Sequence, residues 1–424
     1  MKKLIVILIA GLASWSCTDN CRQTRTYRAT VPYSFGQEQI RTGIGVESSR
    51  DLENPGKIYA YGNYLLIGET KKGIHIIDNS NPSSPKKLSF LKIPGVIDMA
   101  IKDNVLYTDS YTDLVAFDIS NPTAIKEIGR RMNVFNYGLV DGVSWYYDPY
   151  SKIITDYEIK TITETISTNC GENNPVWPIY RGGVYYESAK DAFNSSGTPS
   201  ANGTSGTGGS MARFTIYDKY LYAATQSDLL VFDISTAEKP DSVNKVNLGW
   251  GAETIFPYKD KLFIGSNTGM YIFDNSNPAK PVRQSIFQHA RACDPVVVEG
   301  DKAYVTLRQG WCGQSPNQLD IVNISSLTNP FLIKSYTMDN PHGLSVLSNK
   351  LTLCEGKYGL KSYNVADPND IKLLQHIKGI NAFDVIQLGN NLLLMIGDDG
   401  FFQYDNSDPK NLKLLSKIEV VTKK

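Results

Sequence analysis

The chain has 424 residues, 43 basic and 43 acidic side chains for a net charge of +0, and 41% hydrophobic residues. That balance removes the electrostatic case for a nucleic-acid partner, while the apolar content suffices for a folded core. Six cysteines and four histidines, with no Cys-x-x-Cys pair, speak against a zinc site, and no metal or cofactor is expected.

Residues 1–16 place Lys2 and Lys3 ahead of an apolar run and small residues before Cys17, the outline of a secretory signal. The run is too short for a membrane span followed by a folded domain. Ser14-Trp15-Ser16-Cys17 resembles the lipobox of bacterial lipoproteins, with Ser14 where that pattern has leucine. The resemblance implies lipidation at Cys17. Residues 17–55 then form an anchored N-terminal segment whose strand candidates are residues 27–31 and 39–44; one of them is expected to close the last blade against residues 412–421.

From Gly73 an apolar strand runs into an acidic turn, Gly73-Ile74-His75-Ile76-Ile77-Asp78-Asn79-Ser80-Asn81-Pro82, and the pattern returns at residues 114–122, 229–240, 270–278, 319–330, 360–368 and 401–409. The anchors Asp78, Asp118, Asp233, Asp274, Asn323, Asn364 and Asp405 are 40, 115, 41, 49, 41 and 41 residues apart. The long step holds a degraded copy with Asp156 as an eighth anchor, and about 37 further residues if one repeat takes about 40–45. Those fall at about 165–211, where the Gly/Ser/Thr tract 194–210 reads as a flexible, solvated loop.

Each repeat divides into four short β-rich runs, a to d, between polar turns. Asp and Ser side chains capture amides just ahead and Pro ends the ladder, so the recurring acids read as turn formers. Four-stranded units bury both faces only by stacking in a ring. The expected fold is all-β, a single β-propeller over residues 56–421, with eight blades, or seven if the unit around Asp156 is an insertion.

Cys293 precedes strand a of its repeat and Cys312 lies in the lengthened b–c loop, on the same rim, so a Cys293–Cys312 disulfide is expected in an exported chain. Cys354 competes for either thiol, and the pairing of Cys21 and Cys170 stays open. On that rim Lys57, Asp98, Asn136, Arg213, Glu253, Asp294, His342 and Asp384 begin successive a strands, joined by Glu69, Asp109, Tyr111, Arg308, Trp311, Glu355, Tyr358 and Asp398 from the b–c loops. The ligand-binding candidates are Asp98, Asp109, Tyr111, Arg213, Glu253, Asp294, Arg308, Trp311, His342, Tyr358 and Asp384, converging on a channel mouth. No catalytic residue is assigned, because His342 has no nucleophile motif beside it.

Leu229-Leu230-Val231-Phe232-Asp233-Ile234-Ser235, Leu319-Asp320-Ile321-Val322-Asn323-Ile324-Ser325 and residues 114–121 resemble the LVIVD repeat of bacterial and archaeal surface or secreted propellers. With its lipobox-like start the chain resembles LVIVD-repeat lipoproteins of the Bacteroidetes type. The resemblance implies a propeller at the cell surface or outer membrane and carries over no catalytic residue. Three functions compete. One is a lipid-anchored outer-membrane protein, on the surface or the periplasmic face, binding an envelope protein or glycan through Trp311, Tyr358 and Tyr111. Another is a polysaccharide hydrolase or lyase using His342 with Asp98, Glu253, Asp294 and Asp384. The third is a scaffold subunit of an envelope complex.

Overall fold

The structure, a computed structural model, describes residues 20–140, 143–169, 206–292, 295–309 and 316–421. Cys17, Cys170, Cys293, Asp294, Trp311 and Cys312 lie outside them, and with them the expected lipidation and the Cys293–Cys312 disulfide. Cys354 is a buried free thiol.

The turn chemistry repeats as the sequence requires. Asp78 accepts the Ser80 amide at 2.9 Å, Asp118 that of Ser120 at 2.9 Å and Asp233 that of Ser235 at 2.8 Å. Asp274, Asn323, Asn364 and Asp405 accept the amides of Ser276, Ser325, Ala366 and Ser407 at 3.1, 3.0, 2.9 and 2.9 Å. Directly after, the Asn81 carbonyl accepts the Ser84 amide at 2.9 Å and the Asn121 carbonyl that of Ala124 at 3.0 Å. Pro82 and Pro122 sit at the second turn position, where φ of about −65° is required. The same turns hook neighbouring sheets together. The Ser89 hydroxyl donates to the Pro122 carbonyl, and Ser285, Tyr336 and Ser416 donate to the carbonyls of Leu327, Pro368 and Pro82 at 2.6, 2.8 and 2.6 Å.

The described strands form eight antiparallel sheets of at least four strands, matching the eight units counted in the sequence. Numbered in chain order, their innermost strands are Pro55–Tyr61, Met99–Lys102, Tyr137–Val140, Phe214–Tyr217, Ala252–Tyr258, Val296–Glu299, Leu344–Leu347 and Ala382–Gln387. Seven of these touch in succession and return on themselves: the second meets the fourth, and the first meets the eighth sheet at Leu392–Gly397. The third sheet, on the degraded repeat, stands outside that succession and takes Asn20–Gly36 as its outermost strand. Asp156 closes no turn, because its strand, Ile153–Asn169, runs on past it.

The N-terminal segment therefore pairs differently from expectation. Residues 27–31 join the third sheet rather than the last. Residues 39–44 are not a strand: Gln37–Thr42 is a helix, pinned where Arg41 Nε donates to buried Asp113 at 2.9 Å and Gln37 Nε2 donates to Thr112 Oγ1 at 3.2 Å. The end of the chain is met instead by Leu52, which bridges Val420 and accepts the Val421 amide at 2.7 Å.

By packing the chain divides into two units. One is a ribbon made by the strand lengths up to Ser34 and from Thr155, antiparallel, with Thr24 3.1 Å from Thr165, Thr26 3.1 Å from Thr163 and Ser34 3.0 Å from Thr155 through their hydroxyls. The other holds the cycle of sheets, whose core is the apolar strand faces, with Ile74, Leu114, Phe232, Phe263 and Phe401 all buried.

Residues 206–212 run through the middle of that cycle. Thr207 and Gly208 pair with Ala60 and Tyr59 of the first sheet, and the Gly206 amide donates to Ile101 of the second at 3.1 Å. The Leu344 amide of the seventh sheet donates to Ser210 Oγ at 2.9 Å, and the Ile255 amide of the fifth to the Ala212 carbonyl at 2.7 Å. The reading of the Gly/Ser/Thr tract as a solvated loop fails for these residues, since Gly208, Ser210 and Met211 are buried. Glycine supplies room here: a Cβ on Gly206 would lie 2.3 Å from the Tyr59 ring and 2.7 Å from the Ala60 carbonyl. Gly206→Ala is expected to lower stability by about 2 kcal/mol through overpacking. Gly45→Ala, with nothing within 4 Å, should stay within about 0.5 kcal/mol of the parent; urea midpoints of the two variants check both.

Candidate ligand-binding rim

The acids at the b–c turns have a common task. Asp109 accepts the amides of Ile97 and Asp98 at 2.8 and 3.0 Å, and Glu69 that of Glu53 at 2.6 Å. Glu355 accepts that of Asp339 at 2.8 Å and Asp399 that of Asn381 at 2.7 Å. Each carboxylate thus ties down the connection leading into strand a of its own sheet, where buried amides need acceptors. Glu69 is also bonded by the Arg50 guanidinium and lies 3.3 Å from His75 Nε2. Burial works against its charge, but His75, the Glu53 amide and Arg50 together hold its carboxyl down to about 2.

At the centre Lys57 Nζ donates to Asp98 Oδ2 at 2.6 Å and to the Met211 carbonyl at 2.9 Å. The same carboxylate oxygen accepts the backbone amide of Arg213 and that of Phe214 at 3.3 Å. Arg213 donates from its guanidinium to the Leu139 carbonyl at 3.1 Å. Burial pushes the Lys57 ammonium below its usual range against the pull of Asp98. Burial raises Asp109 to about 6 despite its two amide donors, with Asp98 adding to the rise. Aligning the repeats therefore brings Lys57, Asp98, Asp109 and Arg213 together, but not at an open mouth.

The other candidates are mostly enclosed. Glu253, Arg308, His342 and Asp384 are all buried. His342 Nε2 lies 3.1 Å from Asn340 Nδ2, with the ring 5.4 Å from that of Phe383. Asp384 accepts the Val385 amide at 2.6 Å. Tyr111 is packed edge-on against Trp145 at 5.3 Å and Phe35 at 5.1 Å. Tyr358 alone of the described candidates is exposed, at 42%.

The cover is the hairpin Tyr137–Val140 and Val143–Asp148 of the third sheet. Tyr137, Gly138 and Trp145 face Asp98, Asp109 and Arg213 across a narrow space of about 30 Å³, room for about one water. Beside it opens a larger cleft of about 220 Å³, lined by residues 133–137, residues 225–228, Leu230, Lys245 and Trp250. Trp250 is 60% exposed, with its ring 5.5 Å from that of Tyr137. Trp250, Tyr137 and Gln226 escaped the sequence reading. A tryptophan between two glycines, Gly249-Trp250-Gly251, in the d–a connection of the same rim was the available signal.

The LVIVD repeat family matches residues 55–90, 96–133, 208–247 and 290–338. The chain carries four LVIVD repeats. They cover the first, second, fourth and sixth sheets, all within the closed cycle, and the third LVIVD match begins on the residues inside the channel. No curated protein matches. Among solved structures the chain is similar to the computationally designed Ika8 protein, at 9% identity over 89% of this chain and 93% of that one with a TM-score of 0.52. It is similar also to a protein from Lactobacillus plantarum, at 13% identity over 87% and 97% with a TM-score of 0.50. BamB from Moraxella catarrhalis follows at 8% identity over 89% and 96%, TM-score 0.47. The first two likenesses show the fold alone, a β-propeller.

Two outcomes test the electrostatics. Lys57→Met leaves Asp98 buried without its cation and should cost about 3 kcal/mol, part of which Lys57→Met/Asp98→Asn should restore; urea midpoints read the difference. Glu69 contributes stability that is complete above the ordinary glutamate range near 4.5 and is lost as pH falls toward 2. Asp109 has the opposite sign, favouring the fold at low pH and losing that contribution as pH rises through about 6. Glu69→Gln should therefore flatten the fall of melting temperature below pH 4.5, and Asp109→Asn the fall on raising pH from about 4 to about 7.

Proposed function

We propose that the chain is an exported, lipid-anchored propeller, held in the outer membrane at its surface or periplasmic face, that binds an envelope protein or a glycan through the rim formed by the d–a and b–c connections. The observation carrying this reading is the cleft of about 220 Å³ beside an exposed tryptophan on that rim. Exposed aromatic side chains at a concave surface are the usual anchors of recognition. The signal-like residues 1–16 and Cys17 support export and anchoring. A polysaccharide hydrolase is less well supported, because Asp98 and Asp109 share a space fit for about one water.

A scaffold role has its own support. Leu332, Leu373 and Leu414 occupy the same register on the outermost strands of the sixth, seventh and eighth sheets and are 45%, 53% and 56% exposed, with Phe331 beside them at 53%. Such a row suits an apolar protein contact.

Pull-down from an envelope extract, run with the parent, Trp250→Ala and Leu373→Lys/Leu414→Lys, separates the readings. Loss with Trp250→Ala supports the rim, and loss with the leucine pair supports the scaffold. A partner retained by Trp250→Ala and by Tyr358→Ala sinks the rim reading. Cys17→Ser should move the expressed chain from the membrane fraction to the soluble one; an unchanged distribution argues against the anchor.

A further inference from the structure

We infer that the cleft between residues 133–137 and Trp250 is a saccharide subsite that takes one neutral pyranose ring, stacked on the Trp250 indole and hydrogen-bonded by the Gln226 side chain. This rests on the rim reading and names its ligand class.

The platform is held rigidly. Gly249 and Gly251 flank Trp250 at φ of +79° and +98°, a backbone conformation that L side chains rarely adopt, and a Cβ on Gly251 would lie 2.3 Å from the Asn267 side chain. The Gln226 carbonyl accepts the amides of Gly251 and Ala252 at 2.8 and 3.2 Å, and the Ser227 carbonyl that of Leu248 at 2.8 Å. The loop is thereby fastened to the turn that carries Gln226, with the indole left out of the core. A large apolar ring kept exposed and fixed loses little freedom on binding. Tyr137, inclined at 52° to it, forms the second wall.

The polar side of the cleft supplies the independent observation. Gln226 is only 4% exposed, yet its side-chain nitrogen has no hydrogen-bond partner. Leaving such a donor unmet costs about 1–3 kcal/mol, which an acceptor in the cleft would recover. A sugar hydroxyl is such an acceptor. Asn133 and Asn136 line the same space, giving amides suited to the remaining hydroxyls. Asp228 is neutralised by Lys245, with Nζ 3.1 Å from its carboxylate, so the site offers no net charge to an acidic sugar. The volume, about 220 Å³, equals the room of about seven waters, enough for a single ring.

The test titrates the full chain with methyl glycosides of glucose, galactose, mannose and N-acetylglucosamine, and with glucuronate as the acidic control, read by calorimetry and tryptophan fluorescence. At least one neutral glycoside should bind. Trp250→Ala should then weaken binding about tenfold or more, Gln226→Ala about fivefold or more, Trp250→Phe less than Trp250→Ala, and Tyr150→Ala, at a 97% exposed tyrosine away from the cleft, not at all, all at unchanged melting temperature. Binding that survives both Trp250→Ala and Gln226→Ala overturns the subsite. No binding of any glycoside, or tighter binding of glucuronate, overturns the neutral-sugar assignment; the rim reading would still stand if a captured protein partner depended on Trp250, and would fall with it otherwise.

Discussion

The inner strands of a closed ring end in an edge of amides and carbonyls that no further strand covers, and buried backbone groups must be paired. This chain meets that constraint with its own residues 206–212, bonded to the first, second, fifth and seventh sheets. The consequence reaches the chemistry. Lys57 finds the Met211 carbonyl as well as Asp98, so its side-chain nitrogen is held by two acceptors inside the ring instead of standing at a wet entrance. The third sheet's hairpin lies over Asp98 and Asp109, and among the described residues a wider cleft opens beside it toward Trp250.

The legible part of the fold is the part written in local chemistry. Asp or Asn at the end of strand c, an amide two residues on and a proline in the next turn act within a few residues of one another, so seven copies could be read directly and each makes its bond. Pairing over long separation was not legible: nothing local in residues 20–36 says that their partner lies beyond residue 153. The helix Gln37–Thr42 has six residues, too few for a period to stand out, and is held by Asp113 and Thr112 from a distant sheet. Glycine needed for space and glycine tolerated for freedom look alike in composition, which is why residues 206–210 read as a loop until Tyr59 was seen against them.

The site divides in the same way. Register placed Lys57, Asp98 and Arg213 correctly at the starts of their strands, and they meet. Register cannot foretell what lies on top of them, because the hairpin comes from the one unit that departs from the repeat. The acids Glu69, Asp109 and Glu355 were legible as rim residues, but their purpose emerged only from the amides they accept.

The channel segment also bears on how the ring is assembled. Residues 206–212 precede in the chain the fifth and seventh sheets that bond to them, and follow the first and second sheets that do. In a chain that folds from its N-terminus, the occupant of the axle can be laid against two blades while the ring is still an open arc. The later blades then wrap around it, and the parallel bridge of Leu52 to Val420 locks the last one beside the first. The filler of the channel is a mandrel on which the wheel is wound, present before the wheel can close and never required to pass through a finished hole.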